Sequence, residues 1–367
     1  MSQKLIRISN LFLCLILIGA GIVSAQSEKK RIFIVDSYSR DYLWSQSLQK
    51  GLCKAMLDSG YLDNEEQAAA FTRDDTVESS KAIVKKEWMD SKKKNNTLEL
   101  AQATDRVMGS LKEFRPDLVL LGDDNAANYI GNQLLDTPMP VVFWGVNGLP
   151  LKYDLIDSMD KPGHNVTGVW QSGYYKESLD LLKKLVPGAK TFAILACDSE
   201  TTRAKIKLVT AMDEDGSLPL KLTGTVATNS YEDFQEKAAA LFGKVDTFLV
   251  LNHDTLKDRG GNPVSIMTAG KWYLENSKTP EASDEEQFVR EGMLCAADDS
   301  AVKQASTAFM MGKDILEGRI TPEMTKPVAP TRGPLLVNRA RAEKLGIPQE
   351  RVQEVAEELI DGMVALK

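Results

Sequence analysis

The sequence predicts two α/β lobes of similar order, each a mostly parallel sheet covered by helices. Three observations carry this. A short β-branched or apolar run, a polar loop and a segment of helical period follow one another repeatedly, as parallel α/β layers require. The pattern starts twice, at Arg31 and again at Thr191. The chain has 367 residues and is 43% hydrophobic, enough for two cores.

The first residues read as a leader. Lys4 and Arg7 form a positive n-region, Leu11 to Ile18 an apolar h-region, and Val23-Ser24-Ala25 a small-residue site. A signal peptide over 1–25 is therefore expected, and with it a periplasmic or secreted location. The exported chain would have 342 residues and a net charge of −9. Cys14 leaves with the leader; Cys53, Cys197 and Cys295 sit in apolar contexts where small buried hydrophobes are the default, with at most one disulfide.

Arg31 to Val35 is the first strand, stopping at Asp36-Ser37-Tyr38, and Leu48, Leu52 and Met56 then recur as one helical face. The lysine-rich stretch Lys81 to Asn96 reads as a solvated helix face or loop. A helix ends at Leu111 to Phe114, Pro116 breaks it, and the apolar run 117–122 suits a strand covered on both faces. Asp123-Asp124-Asn125, a helix from Ala126 to Leu135, a strand from Met139 to Trp144 and the turn Gly145-Val146-Asn147 complete the unit. After a turn-rich stretch from Gly148 to Gly163, the second lobe runs through strand 191–196, tip Cys197-Asp198-Ser199 and a helix to Met212. Strand 222–226, a helix from Tyr231 to Leu241 started by Ser230 and Asp233, strand 246–251 and tip Asn252-His253-Asp254 follow. A last strand and two helices, Arg339 to Leu345 and Gln349 to Leu366, close the chain.

Composition narrows the function classes. With 45 Lys and Arg against 52 Asp and Glu, the chain lacks the basic footprint of a nucleic-acid partner. Only His164 and His253 are present, without C-x-x-C or H-E-x-x-H, so neither a metal nor a cofactor is expected. No G-x-S-x-G, Walker A loop or G-x-G-x-x-G occurs. His253 beside Asp254 could serve as a base, and Asp123 with Asp124 as a carboxylate pair, but no nucleophile neighbours His253 in sequence and adjacent carboxylates usually point apart. No catalytic residue is assigned, and the protein reads as a non-enzyme.

Ligands of open α/β sheets bind beyond the carboxyl ends of the strands. Candidate binding residues at these tips are Ser37, Tyr38, Trp44, Asp123, Asn125, Asn147, Ser199, Asn252, His253 and Asp254, with Asp298 from the acidic pair Asp298-Asp299. Aromatic and small polar groups together suit a small solute. Two competing roles stand beside this one: Asp124 and Asp198 as helix caps, and Trp44 as a lid packed on its own lobe.

Several strings in order, DSYSRDYLWSQSLQKGL, RPDLVLLGDDNAA, PVVFWGVN, NVTGVWQ, ESLDLLKKLVPGAK and LLVNRARAEKLGI, resemble the ABC-type periplasmic substrate-binding proteins of the tryptophan-binding-like branch. They are also similar to the sensor domains of some histidine kinases. The resemblance implies a type I periplasmic-binding fold, two Rossmann-like lobes joined by hinge strands around a solute cleft. It places lobe 1 at 30–165 with about 298–322 returning to it, and lobe 2 at 166–297 with about 323–367. It puts Ser37, Tyr38, Trp44 and Asn147 at the cleft, and makes 165–169 a hinge strand bringing Trp170 and Gln171 to the cleft wall. The doubled Asp123-Asp124 and the tip Cys197-Asp198 depart from the family's usual small or polar tips and would suit a cationic group. The function this implies is a monomeric exported protein that captures a small organic solute, amino-acid-like or amine-containing, and delivers it to an ABC permease. A sensory protein signalling to a membrane kinase or chemoreceptor is the alternative, and a secreted hydrolase on the same fold a third.

Overall fold

The computed structural model describes residues 28–363, so the expected signal peptide over 1–25 and the last four residues lie outside it. In the first lobe β1 (Lys30–Asp36), α1 (Leu43–Asp58), α2 (Glu65–Arg73), β2 (Thr76–Glu78), β3 (Ala82–Trp88), α3 (Thr97–Phe114) and β4 (Leu118–Gly122) come first. A helical run follows, α4 (Asp123–Asn125), a π-helical turn at Ala126–Gly131 and α5 (Asn132–Leu134), and then β5 (Val141–Asn147) and β6 (Val166–Gln171). The strands pair in the order β2-β3-β1-β4-β5-β6, with only β2 antiparallel to its neighbour.

The second lobe holds α6 (Tyr175–Leu185), β7 (Thr191–Ala196), α7 (Glu200–Glu214), β8 (Lys221–Ala227), α8 (Tyr231–Leu241) and β9 (Thr247–Val250). These are followed by α9 (Ile266–Asn276), β10 (Glu281–Ser283), α10 (Glu286–Arg290) and β11 (Cys295–Ala297). The chain then returns α11 (Ala301–Leu316) to the first lobe, and β12 (Leu335–Asn338), α12 (Arg339–Lys344), α13 (Gln349–Val355) and β13 (Glu358–Ile360) close the second. Its sheet order is β13-β12-β11-β10-β9-β7-β8. This is the two-lobed α/β class that the sequence predicts.

Burial explains which elements were legible. β4 and β5 are buried along their whole length, because helices cover both faces of the sheet. Asn96 caps α3 in a reciprocal box with Glu99, and Ser199 caps α7 in one with Thr202. Three differences from the sequence reading have physical causes. The stretch 81–96 is not a solvated helix face or loop throughout: β3 lies inside the sheet beside β1, and Lys86 is buried, its ammonium donating to Gln49 Oε1 at 2.8 Å and lying 4.4 Å from the Phe71 ring centroid. The last helix stops at Val355, because 358–360 pair with β12 and Glu357 accepts the Leu335 N–H. β6 completes the first sheet beside β5, so the chain leaves that sheet after Gln171 rather than at 166.

Three crossings join the lobes, at 172–174, 298–300 and 325–334. They are tied together: Asp299 accepts the Gly173 N–H at 2.8 Å and Gln304 Nε2 at 2.7 Å, while Val328 exchanges backbone bonds with Gly168 and Trp170. No helix of the described residues is long and apolar enough to cross a membrane.

The return of α11 depends on Gly51. A Cβ there would lie 2.3 Å from the Val302 carbonyl oxygen, a backbone atom that cannot move aside alone. Gly51→Ala should cost about 1–3 kcal/mol by forcing α1 and α11 apart. Gly109→Ala, on open helix surface in α3, should stabilise by roughly 0.5–1 kcal/mol. Urea denaturation of the two variants measures both; equal midpoints would remove the α1–α11 contact from the account.

Candidate functional site

The carboxyl ends of β1, β4, β5 and β6 face those of β7, β9 and β10 across the boundary between the lobes. Tyr38, Tyr42, Trp44, Asp123, Asn147 and Gln171 from the first lobe, with Thr201, Asn252 and Glu285 from the second, line a narrow cavity of about 10 Å³, room for about one water molecule. A larger concavity of about 860 Å³ lies at the opposite end of the first sheet, lined by Met108, Leu111, Leu134 and Met139, far from the strand tips.

Asp123 occupies the left-handed region at φ 66°, a conformation Asp tolerates better than most residues but at a cost. It is held there by its surroundings. Its Oδ1 accepts from Trp44 Nε1 at 2.9 Å, and it fits only because Gly145, at φ 68°, has no Cβ: one would sit 2.3 Å from Asp123 Oδ1. Burial and the neighbouring carboxyls of Asp36 and Asp124 push the Asp123 carboxyl well above the usual carboxylate range.

Asp124 has the opposite surroundings. Its carboxylate accepts from Asn147 N at 3.2 Å, Asn147 Nδ2 at 2.7 Å, Lys152 Nζ at 2.7 Å, Tyr153 OH at 2.9 Å and, from the other lobe, Thr201 Oγ1 at 3.3 Å. It is a hub rather than the helix cap the sequence suggested, because the helical run starts at Asp123 and points the next side chain back at the β5 turn. Asp198 is no cap either: Ser199 caps α7, and Asp198 pairs with Arg203 at 2.6 Å on the surface.

A second polar knot also crosses the lobes. Asp254 lies 2.9 Å from Lys92 and accepts from Asn252 Nδ2 at 3.0 Å and from Tyr42 OH, whose oxygen accepts from Gln287 Nε2 at 3.0 Å. Burial would raise the Asp254 carboxyl, but the Lys92 ammonium and the hydroxyl and amide donors hold it at about 2. Lys205, wholly buried, lies 2.9 Å from Asp284 and binds Glu285, whose carboxyl burial raises against the pull of that ammonium.

The sequence-derived candidates separate accordingly. Tyr38, Trp44, Asp123, Asn147, Gln171 and Asn252 converge on the cavity. Trp44 also packs in the core of its own lobe, so its two suggested roles coincide. Asn125 and Ser199 line an outer recess at the mouth of the cleft with Ser91 and Lys92. Asp254 forms the knot beside the cavity. Ser37 is internal: its hydroxyl donates to the Gly122 carbonyl at 2.6 Å and accepts from the Ala126 N–H at 2.8 Å, bracing β1 against the tip of β4. Trp170 faces away, since alternation along β6 sends Val169 and Gln171 to one face and Trp170 into the core on the other. His253 is sealed beneath its tip, 2.6 Å from Glu291 and packed by Tyr273 and Phe288. Asp298 accepts the Glu286 N–H at 2.9 Å near the hinge.

Tyr42, Thr201 and Glu285 were not among the candidates. Tyr42 stands in the first polar loop and was visible there; Thr201 hides behind the Ser199 cap; Glu285 follows a three-residue strand with no apolar run to mark it. Among the described residues Cys53, Cys197 and Cys295 are unpaired, and no group of three or more His, Cys, Asp or Glu side chains is arranged to hold a metal.

Buried carboxyls give the stability an unusual pH dependence. Burial raises Asp36 to about 6, Asp298 to about 7 and Asp299 to about 6, so the folded state holds protons that the unfolded chain releases near pH 4. Their stabilising contribution is complete below pH 4 and is lost as pH rises through 6–7, whereas that of Asp254 is already complete by pH 5. Unfolding free energy should fall by at least about 2 kcal/mol from pH 5 to pH 7.5 in denaturant titrations; a rise over that range would contradict the assignment. Asp254→Asn leaves the Lys92 ammonium buried without its carboxylate when the lobes close, at a cost of about 3–5 kcal/mol to that form. The variant should show a larger radius of gyration in X-ray scattering, and an unchanged one would exclude the pair as a latch.

Residues 72–360 match the family model described as ABC transporter substrate binding protein. A tyrosine-binding protein of Clostridioides difficile (strain R20291) is 22% identical over 271 residues, 74% of this chain and 68% of that protein. Among solved structures, an ABC domain in complex with L-Trp from Streptococcus pneumoniae superposes with a TM-score of 0.67 at 21% identity, covering 91% of this chain and all of that one. The ligand-free, open structure of a substrate binding protein with adhesive properties from Clostridium difficile gives 0.63 at 19% identity, covering 91% and 99%. With its two lobes and the cavity between them already in place, the match over most of its length means that the chain belongs to the family of ABC transporter substrate binding proteins.

Proposed function

We propose that the protein is exported, closes its two lobes around a small amino-acid-like or amine-containing solute, and delivers the closed complex to an ABC permease without chemically altering the solute. The observation that carries this reading is the cavity itself, walled by aromatic and polar groups from both lobes. A solute touching both walls binds the closed form better than the open one and so shifts the population toward closure by its differential affinity. The hinge supports such a motion, since only three chain crossings connect the lobes. The lining residues are Tyr, Trp, Asp, Asn, Gln, Thr and Glu, a set of aromatic faces and polar groups suited to orienting a small ligand. The ligands named for the Clostridioides difficile and Streptococcus pneumoniae relatives, tyrosine and L-Trp, support an amino-acid-like solute.

Thermal-shift screening of the purified protein against amino acids, amines, sugars and nucleosides tests the reading, because a ligand of the native state raises the melting temperature by mass action. Trp44→Ala should weaken the binding of any hit by about 10-fold or more, by removing an aromatic wall and the donor to Asp123, while the protein stays folded. A panel that shifts nothing while a chromogenic ester or phosphate is hydrolysed would overturn the proposal.

A further inference from the structure

Three oxygens on residues of the cavity wall have no hydrogen-bond partner among the described residues: Asp123 Oδ2, Asn147 Oδ1 and Asn252 Oδ1. Their residues are 1%, 3% and 4% exposed, so bulk water does not serve them. The two amides are oriented by their surroundings. Asn147 Nδ2 donates to Asp124 Oδ2 and Asn252 Nδ2 to Asp254 Oδ2, which leaves a carbonyl oxygen as the unpartnered end of each. Asp123 Oδ1 is engaged by Trp44 and Oδ2 is not. The wall therefore presents acceptors from both lobes and calls for a ligand that brings several donors.

The charges around the cavity define that ligand more closely. Asp123 and Glu285 line it from opposite lobes, and no cation does. Two buried ammonium groups stand behind the wall, Lys92 paired with Asp254, and Lys205 paired with Asp284 and with the wall residue Glu285. A carboxylate on the ligand would meet the carboxyls of Asp123 and Glu285 on the wall and no ammonium that is not already paired with a carboxylate. An ammonium would meet acceptors and aromatic faces. The neighbouring Lys92 ammonium illustrates the fit, lying 4.3 Å from the Tyr38 ring centroid and 5.6 Å from that of Tyr42.

We propose that the cleft selects a primary amine that carries no carboxylate, its three N–H bonds donated to Asp123, Asn147 and Asn252. This rests on the solute-binding reading above and narrows its substrate class. Asp123 is faced by Asp36 from β1, Tyr38 from the loop after it, Asp124 beside it, Lys92 from the β3–α3 loop and Glu285 across the cavity. With its carboxyl raised by burial and by its acidic neighbours, Asp123 gives up a proton to solvent as the ammonium docks.

Isothermal calorimetry on the wild-type protein with matched pairs decides the point: tyramine against tyrosine, tryptamine against tryptophan, and ethanolamine against serine. The amine of at least one pair should bind at least about 10-fold tighter than its amino acid. Titrations at pH 6.5 in buffers of different ionisation enthalpy should show a proton released on binding, a signature that a purely structural Asp123 would not give. Asp123→Asn should weaken the amine by about 30-fold or more and abolish the proton release. Should that variant not fold, the wild-type comparison stands alone. Amino acids binding as tightly as their amines, or tighter, would overturn the amine selectivity while leaving solute binding intact. If no amine binds, the inference fails, and the sugars and nucleosides of the wider screen then judge the solute-binding reading separately.

Discussion

A buried contact between Lys92 and Asp254 is the interaction on which the closed arrangement turns. Each partner belongs to a different lobe and each is at least nine-tenths buried, so each finds its opposite charge only across the boundary between the lobes. Removing two charges from water is expensive, and the mutual attraction repays it only with good geometry and further hydrogen bonds. Here Tyr42 and Asn252 supply those bonds to Asp254 and the Tyr38 ring lies under the ammonium. Were the lobes to part, both groups would be hydrated instead. Such a balance between two well-solvated alternatives is what lets a ligand of modest differential affinity decide between them.

The same constraint shapes the rest of the cleft. Two sheets aligned tip to tip gather carboxyl groups into a small volume, and each is handled differently. Asp124 collects donors from the β5 turn and from Thr201, and Asp299 collects them from the hinge. Asp123 keeps one oxygen unpartnered and is held in a left-handed conformation by Gly145 and Trp44. Strain together with an unsatisfied buried acceptor is a combination structures retain where a partner from outside completes it.

The strands β4, β5, β7 and β9 were legible because each is a run of apolar residues buried on both faces, so hydrophobicity alone marks them. β3, with the adjacent Lys85 and Lys86 in an outer part of the sheet, was not: its Lys86 is buried only because Gln49 and Phe71 from other elements receive the ammonium. The three-residue strands β10, β11 and β13 owe their existence to pairing partners distant in sequence, and a segment so short has no period to read.

At the site, the sequence by itself determined that polar and aromatic side chains would stand at the strand tips, because hydrophobic period locates strand ends and the residues there can be read directly. Tyr38, Trp44, Asp123, Asn147 and Asn252 followed from that. Only the tertiary structure decided which tip residues share a cavity: the pleat turns Trp170 away, the packing of α9 and α10 seals His253, and the closure of one lobe on the other brings Thr201 and Glu285 to the wall. Position along the chain fixes where a side chain begins, whereas its solvation and its partners depend on surfaces that meet only when two separately folded lobes come together.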